Sequence, residues 1–373
     1  MSARPPLGPR RPGTRPRRLV WLLAAALLFV AAALVTALQD KAPALAPRVR
    51  IPSRMEPDEW NRLARRRTLS KPPAPAEPEA TIAGPPRPRD PMIAALPHAV
   101  KKAAIVLEVN ALLNSPIGDL LVACFIGGES DLWSKLHGMV GIDLQKDIDR
   151  VAFVDDVMMV SGVLEHVSWP ELFPGATQER LDADTVLWTP ENRPFAVWKN
   201  QMVITGKNRD EVFETLARLE GRTTSSETPV LSERESYGEV YGAIAPAALT
   251  GLLGGMKDDI ARLGSLARDI RLHVDASHDV GIAADIFGDD TAGLTDVSKA
   301  IGAALILGRL NAAHDGNQSL AEVLDFARVH PSNDGFQLEV ALPLAFLQKH
   351  LAECAARRGA ALDGGASATP SSN

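Results

Sequence analysis

Cysteine is scarce in this chain of 373 residues, aromatic side chains make up only 5%, and several sequence motifs that carry chemistry are missing altogether. Two Cys exclude a disulfide-rich scaffold and a zinc site built from four cysteines. No two Gly residues are separated by a single residue, so the dinucleotide-binding fingerprint is absent. Gly206-Lys207-Asn208 lacks the upstream Gly and the Ser or Thr of a phosphate-binding loop, which disfavours nucleotide-driven work. There is no HExxH and no closely spaced Cys pair to hold a metal. Positive charge is outnumbered through most of the chain. Residues 98–373 hold 23 Lys and Arg against 39 Asp and Glu, and a body that acidic repels phosphate backbones, so nucleic acid is excluded as a partner.

One long apolar run is present. Leu19 to Leu38 are 20 residues without a charge, and at about 1.5 Å each a helix of that length crosses a hydrocarbon core of roughly 30 Å. Arg4, Arg10, Arg11, Arg15, Arg17 and Arg18 precede it, whereas Lys41, Arg48, Arg50 and Arg54 follow. The richer flank stays in the cytoplasm, so the expected arrangement is an inner-membrane protein with its N-terminus inside and its body in the periplasm. The competing account is a cleaved signal peptide, for which Val35-Thr36-Ala37 offers small residues. The run is longer than the ~7 to 15 residues usual there, which favours a retained anchor. A second apolar run, Ala300 to Gly308, is too short to cross and reads as part of a buried amphipathic helix over Thr295 to Ala312.

Of 28 Pro, 18 lie before residue 98. Residues 39–97 therefore read as a disordered, semi-rigid Pro-rich tether, with one short helix expected over Glu56 to Leu69, where Trp60 and Leu63 share a face. Beside Trp60, Arg62, Arg65, Arg66 and Arg67 suit anionic lipid or peptidoglycan, but we read them as a solvated charge run.

Beyond Pro97 short strands alternate with amphipathic helices. Strands are expected over Ile105–Asn110, Asp149–Val154, Val157–Val163, Thr185–Thr189, Phe195–Asn200 and Gln201–Gly206. A helix follows over Asn208–Glu220, capped by Asn208 and stopped by Gly221. The second half repeats these events, with strands over Gly238–Ala245, Ile270–Val274, Val280–Ile286, Phe326–Val329 and Phe336–Leu342 and a last helix from Pro343 to near Arg358. The closing strand-strand-helix runs of the two halves match in type and point to an ancient duplication of a unit of about 120 residues. The expected fold class is α+β, with antiparallel sheets, helices on one face and two similar subdomains. The divisions are a cytoplasmic Arg-rich tail (1–18), a transmembrane helix (19–38), the linker (39–97), two α+β subdomains (98–222 and 236–358) and a disordered tail (359–373).

The stretch SPIGDLLVACF and LWSKLHGMVGIDLQKDIDRVAFVDD, with its Gly-Ile-Asp-x-x-x-Asp-x-Asp-Arg-Val core at Gly141 to Val151, resembles a recurring segment in membrane-anchored proteins of unassigned function from myxobacteria and their relatives. The resemblance implies an N-terminal anchor, a Pro-rich tether and an α+β body. It brings no activity with it.

Several groups invite a chemical role. Gly128-Glu129-Ser130 begins like a serine-hydrolase elbow but lacks the second Gly, so Ser130 reads as a helix cap. His273, Asp275, His278 and Asp279 carry two imidazoles and two carboxylates, enough for zinc, yet a solvent-facing strand and its polar turn would show the same residues. Asp147, Asp149, Asp155 and Asp156 do not continue as a calcium loop and read as helix-terminating and turn residues. Cys124 and Cys354 have apolar neighbours and read as buried thiols, with a bridge between them as the alternative in an oxidising compartment. Trp188 and Trp198, with Arg193 between them, read as sheet core rather than as a partner's anchor. No catalytic, cofactor-binding or metal residue is assigned, and no cofactor is expected. The expected role is a single-pass anchored protein whose extracytoplasmic body binds a protein or envelope partner as a scaffold. The alternative is an envelope hydrolase whose acid-base residues meet only in the fold.

Overall fold

The structure, a computed structural model, describes residues 49–68, 89–121, 143, 145–190, 193–223, 229–248 and 257–349. The apolar segment 19–38, Ser130, Cys124 and Cys354 lie outside the described residues. Among those described, no helix is long and apolar enough to cross a membrane.

The first elements are α1 (Pro57–Arg66), α2 (Pro91–Ala95), β1 (Ala103–Leu107), α3 (Val109–Leu113) and α4 (Pro116–Leu121). Then come β2 (Ile148–Val154), β3 (Val157–Gly162), α5 (Trp169–Leu172), β4 (Thr177–Arg180), β5 (Thr185–Thr189), β6 (Phe195–Trp198), β7 (Met202–Thr205) and α6 (Arg209–Leu219). The second half contains β8 (Val240–Ile244), α7 (Lys257–Leu266), β9 (Asp269–Asp275), β10 (Val280–Phe287), α8 (Thr291–His314), α9 (Gln318–Asp325), β11 (Ala327–Ser332) and β12 (Gly335–Leu342).

Local chemistry accounts for the boundaries. Asn208 accepts a hydrogen bond from the Glu211 N–H at 3.0 Å and so satisfies one free donor at the start of α6. Val212, Thr215, Leu216 and Leu219 then fall on one buried face, and Gly221, at φ 69°, takes the left-handed turn that ends the helix. The β2–β3 hairpin turns at Asp155, whose φ is 52°. Its carboxylate accepts from the Lys101, Lys102 and Ala103 N–H groups at 3.1, 2.7 and 3.3 Å, tying the turn to the start of β1.

The twelve strands make one continuous sheet in the order β11-β12-β10-β9-β8-β1-β2-β3-β7-β6-β5-β4, with every neighbouring pair antiparallel. The seam is the β1–β8 pair, where Val106 faces Tyr241 and Ala104 faces Ala243. Outward from β1 the order is β2, β3, β7, β6; outward from β8 it is β9, β10, β12, β11. The fold is therefore α+β with a large antiparallel sheet, as expected, although the strands join into a single sheet.

The helices cover one face of each half, but not the same face. In the first half α2 and α6 pack on the side carrying Ala104, Val106, Ala152, Met159, Ile204 and Trp198. In the second half α7 and α8 pack on the opposite side, over Ile270, Ile286 and Phe336. The parity of the apolar residues decides this. Ala243 belongs to the first core and its neighbour Ile244 to the second, so the buried face changes along β8.

Two pieces of the expected tether belong to the body. Residues 49–68 lie on the sheet, and residues 89–97 bring Met92, Ile93, Ala95 and Leu96 into the main core. The Pro count over 39–97 averages across short apolar stretches that bury well. Asp90 and Pro91 start α2 as N-cap and first helical residue.

Candidate functional site

Because the helices change sides, one face of the second half is left to polar residues. Tyr241 on β8 faces His273 on β9, which faces Ala283 on β10, then Glu339 on β12 and Arg328 on β11. In the next row Ala243 faces Arg271, then Asp285, Gln337 and His330. This polar layer is where the titratable side chains of the body collect, and α1 lies across its inner end.

The contact with α1 is built around a buried ionic cluster. Arg66 donates to both Glu108 oxygens at 3.0 and 2.7 Å and to Asp149 at 2.5 Å. Glu108 also accepts from the Tyr241 hydroxyl at 3.0 Å. Arg150 lies behind them, donates to Asp90 Oδ1 at 3.0 Å and forms an ion pair with Asp90 Oδ2 at 2.9 Å, with both side chains buried. Burial opposes the charge on Arg150, but the carboxylates of Asp90 and Glu108 outweigh it, so the guanidinium is held well above its ordinary value. The Tyr241 phenol is pushed far up, first by burial and then by the charge of Glu108, so it acts here as a donor. Arg67 reaches Glu233 at 2.8 Å, Glu59 accepts from the Gly238 N–H at 2.7 Å, and Arg50 reaches Asp275 at 3.2 Å. The apolar part of the contact is small, with Met55, Leu63 and Tyr237 in one cluster and Pro52 also buried.

The expected helix at Glu56–Leu69 is thus present as Pro57–Arg66, but two of the arginines are paired with carboxylates of the body. Arg66 and Arg67 hold the segment to the body, because Glu108, Asp149 and Glu233 converge on them. Trp60 points outward, 42% exposed, while Leu63 is buried.

The structure disperses the other groups singled out in the sequence. His273 is buried and its ring stacks on Tyr237 with centroids 3.8 Å apart. Burial chiefly, together with the Arg271 charge and against the Tyr237 carbonyl, holds its pKa at about 4, so the ring is neutral at pH 7. Asp275 accepts from the Ser277 N–H and hydroxyl at 3.0 and 2.6 Å, His278 is exposed, and Asp279 accepts from the Leu344 N–H at 2.7 Å. Among the described residues no group of three or more His, Cys, Asp or Glu could hold a metal ion. Asp147 accepts from the Asp143 N–H at 2.7 Å, and Asp149 serves Arg66. Trp188 and Trp198 are both buried, on opposite faces, in two different clusters.

Sequence reading missed Asp90, Glu108, Arg150 and Tyr241. Its available signal was parity. Glu108 follows Ala104 and Val106 at intervals of two, and Arg150 precedes Ala152 and Val154 in the same way, so both charges sit on the buried face.

A second feature has the chemistry of a contact surface. The first half of α8 buries Leu294 and Val297, but further along Ile306, Leu307 and Leu310 are 63%, 60% and 59% exposed. Ile306 and Leu307 lie one helical turn before Leu310 on the outer side, while Gly308 and Arg309 face α9 through Leu324 and Asp325. Ala303 extends the ridge by another turn.

No family model matches the chain, and neither does any curated protein. Solved structures described as crystal forms III and IV of TP0453 are similar to it. The first is 11% identical, with a TM-score of 0.41, covering 67% of this chain and 91% of that one. The second is 10% identical, with a TM-score of 0.41, covering 70% and 96%.

Proposed function

We propose that this is a single-pass inner-membrane protein, N-terminus inside, whose periplasmic α+β body works by binding a protein or envelope partner as a scaffold. The observation that carries the reading is the apolar ridge of Ile306, Leu307 and Leu310, three large side chains left in water on a helix whose other face is packed. Exposed apolar groups gathered in one place mark contact surfaces. The titratable groups of the polar face speak for the same reading, since Arg66, Glu108, Arg150, Asp90, Asp275 and Asp279 are each engaged in holding segments together. The anchor rests on the apolar segment 19–38 and its Arg-rich flank.

The body is read as a duplicated unit. The matching order of five strands outward from β1 and from β8 supports this, with β6 and β7 standing where β11 and β12 stand in the other half and β5 and β4 added beyond β6. The closing helices differ, since α6 packs with the first core while Phe346 and Leu347 pack with Leu342.

The test is to extract the full chain from its native membrane in mild detergent and compare it with Ile306→Ser/Leu307→Ser/Leu310→Ser. The expected result is a larger complex for the unaltered chain, lost in the variant without a change in melting temperature. Equal size for both would sink the reading.

A further inference from the structure

We infer that residues 49–68 are a charge-held latch that sets the length of the membrane leash. This inference rests on the anchored reading above. With α1 docked, only residues 39–48 separate the apolar segment from the body, and ten residues reach at most about 35 Å. If α1 detaches, the next fixed point is Asp90, buried against Arg150, and residues 39–89 can then span about 175 Å. Docking therefore changes the reach of the body roughly fivefold.

Four observations support a segment that is held by charge and released as a unit. Its buried apolar side chains are few, Pro52 together with Met55 and Leu63 against Tyr237, while the largest apolar side chain of α1, Trp60, faces solvent. The remaining contacts are charged or polar, and around the enclosed Arg66–Glu108 pair several partners are partly wet: Arg50 is 47% exposed, Arg67 33% and Asp149 38%. These outer pairs weaken as salt screens them. Release also leaves no isolated buried charge on the body. Glu108 keeps the Tyr241 hydroxyl and the field of Arg150, which is itself paired with Asp90. Twenty residues of chain separate Thr68 from Arg89, and Glu233, which meets Arg67 through Oε2, holds the Asp90 N–H at the start of α2 through its other oxygen.

The start of the segment is keyed by backbone rather than charge. A Cβ on Gly281 would lie 2.0 Å from the Arg50 carbonyl oxygen, and its other near neighbours are the Arg50 carbonyl carbon and Ile51. Gly281→Ala therefore collides with the latch segment and not with the sheet.

The test uses the full chain in lipid bilayers, with Cys124 and Cys354 exchanged for Ser and spin labels at Trp60→Cys and Lys101→Cys. A donor dye at Asn333→Cys, in a second preparation, reports energy transfer to acceptor lipids. The latch predicts one narrow label-to-label distance in the unaltered background. It predicts a broad, longer distribution and a severalfold loss of lipid transfer in both Arg66→Glu/Arg67→Glu and Gly281→Ala. The glycine variant keeps the test decisive if the double reversal fails to fold. A broad distribution in the unaltered chain, or a narrow one that survives both perturbations, would overturn the latch. If the internal distance responds but transfer never exceeds that of a chain lacking residues 1–38, α1 docks as described and the anchor is refuted.

Discussion

Replacing Asp90 with Ala removes two roles of one carboxylate, and their sizes differ. Asp90 Oδ1 caps α2, accepting from the Met92 and Ile93 N–H groups at 2.9 and 3.2 Å. Losing a cap of this kind costs about 1 kcal/mol. The same carboxylate is the direct partner of the buried Arg150 guanidinium, and breaking a buried pair from one side costs about 3 to 5 kcal/mol, because a desolvated charge is left behind. Glu108 offsets part of that, so the expected total for Asp90→Ala is about 4 kcal/mol. Asp90→Asn keeps a good capping residue and should fall about 1 kcal/mol short of the Ala variant. Asp90→Ala/Arg150→Met removes both charges and should recover most of the loss, leaving little beyond the cap. Urea unfolding of the parent, Asp90→Ala, Arg150→Met and the double variant, read as a double-mutant cycle at constant slope, supplies the coupling, and Asp90→Asn is measured beside them. If the double variant is no more stable than Asp90→Ala alone, the charge argument is wrong and the cost lies in packing.

Two other expectations are directly measurable. His273 titrates near 4 in the folded body and near 6.5 when unfolded, so the unfolded chain binds the extra proton in between; stability from this group is complete above 6.5 and falls as pH drops toward 4, by about 3 kcal/mol. Burial raises the pKa of Glu239, Asp269 and Asp285, which act in the opposite sense, so the loss should be read as the difference between the parent and His273→Phe in urea melts from pH 7 to 4.5. Trp198→Ala should cost about 3 to 5 kcal/mol, since the ring is buried in the main core beside Met202 and Leu187; a variant melting within 2 °C of the parent would refute that placement.

Much of the body was legible from pattern. Thr185–Thr189 and the second-half hairpin follow from alternation, and α6 follows from its cap, its periodicity and Gly221. Other parts lack a local signal. The turn at Lys199 and Asn200 uses positive φ at both residues, 50° and 52°, and Lys is not a residue that announces such a turn. β4, with every residue exposed, has no apolar alternation to betray it, because an edge strand can pair without burying a face. The docked α1 escaped for a different reason. A run of Arg in a Pro-rich stretch is solvated unless carboxylates meet it, and those carboxylates come from Glu108, Asp149 and Glu233, which are 42 or more residues away in the chain.

The β1–β8 seam bears on how the protein is made. Tyr241 and Ala243 sit in the same cluster as Ala104 and Val106, so the first core lacks part of its wall until more than 240 residues have emerged from the ribosome. Contacts so distant along the chain form slowly. During that interval the leading strands would expose the seam edge of β1, and whatever shields a nascent sheet from sticking to its neighbours must act before β8 arrives.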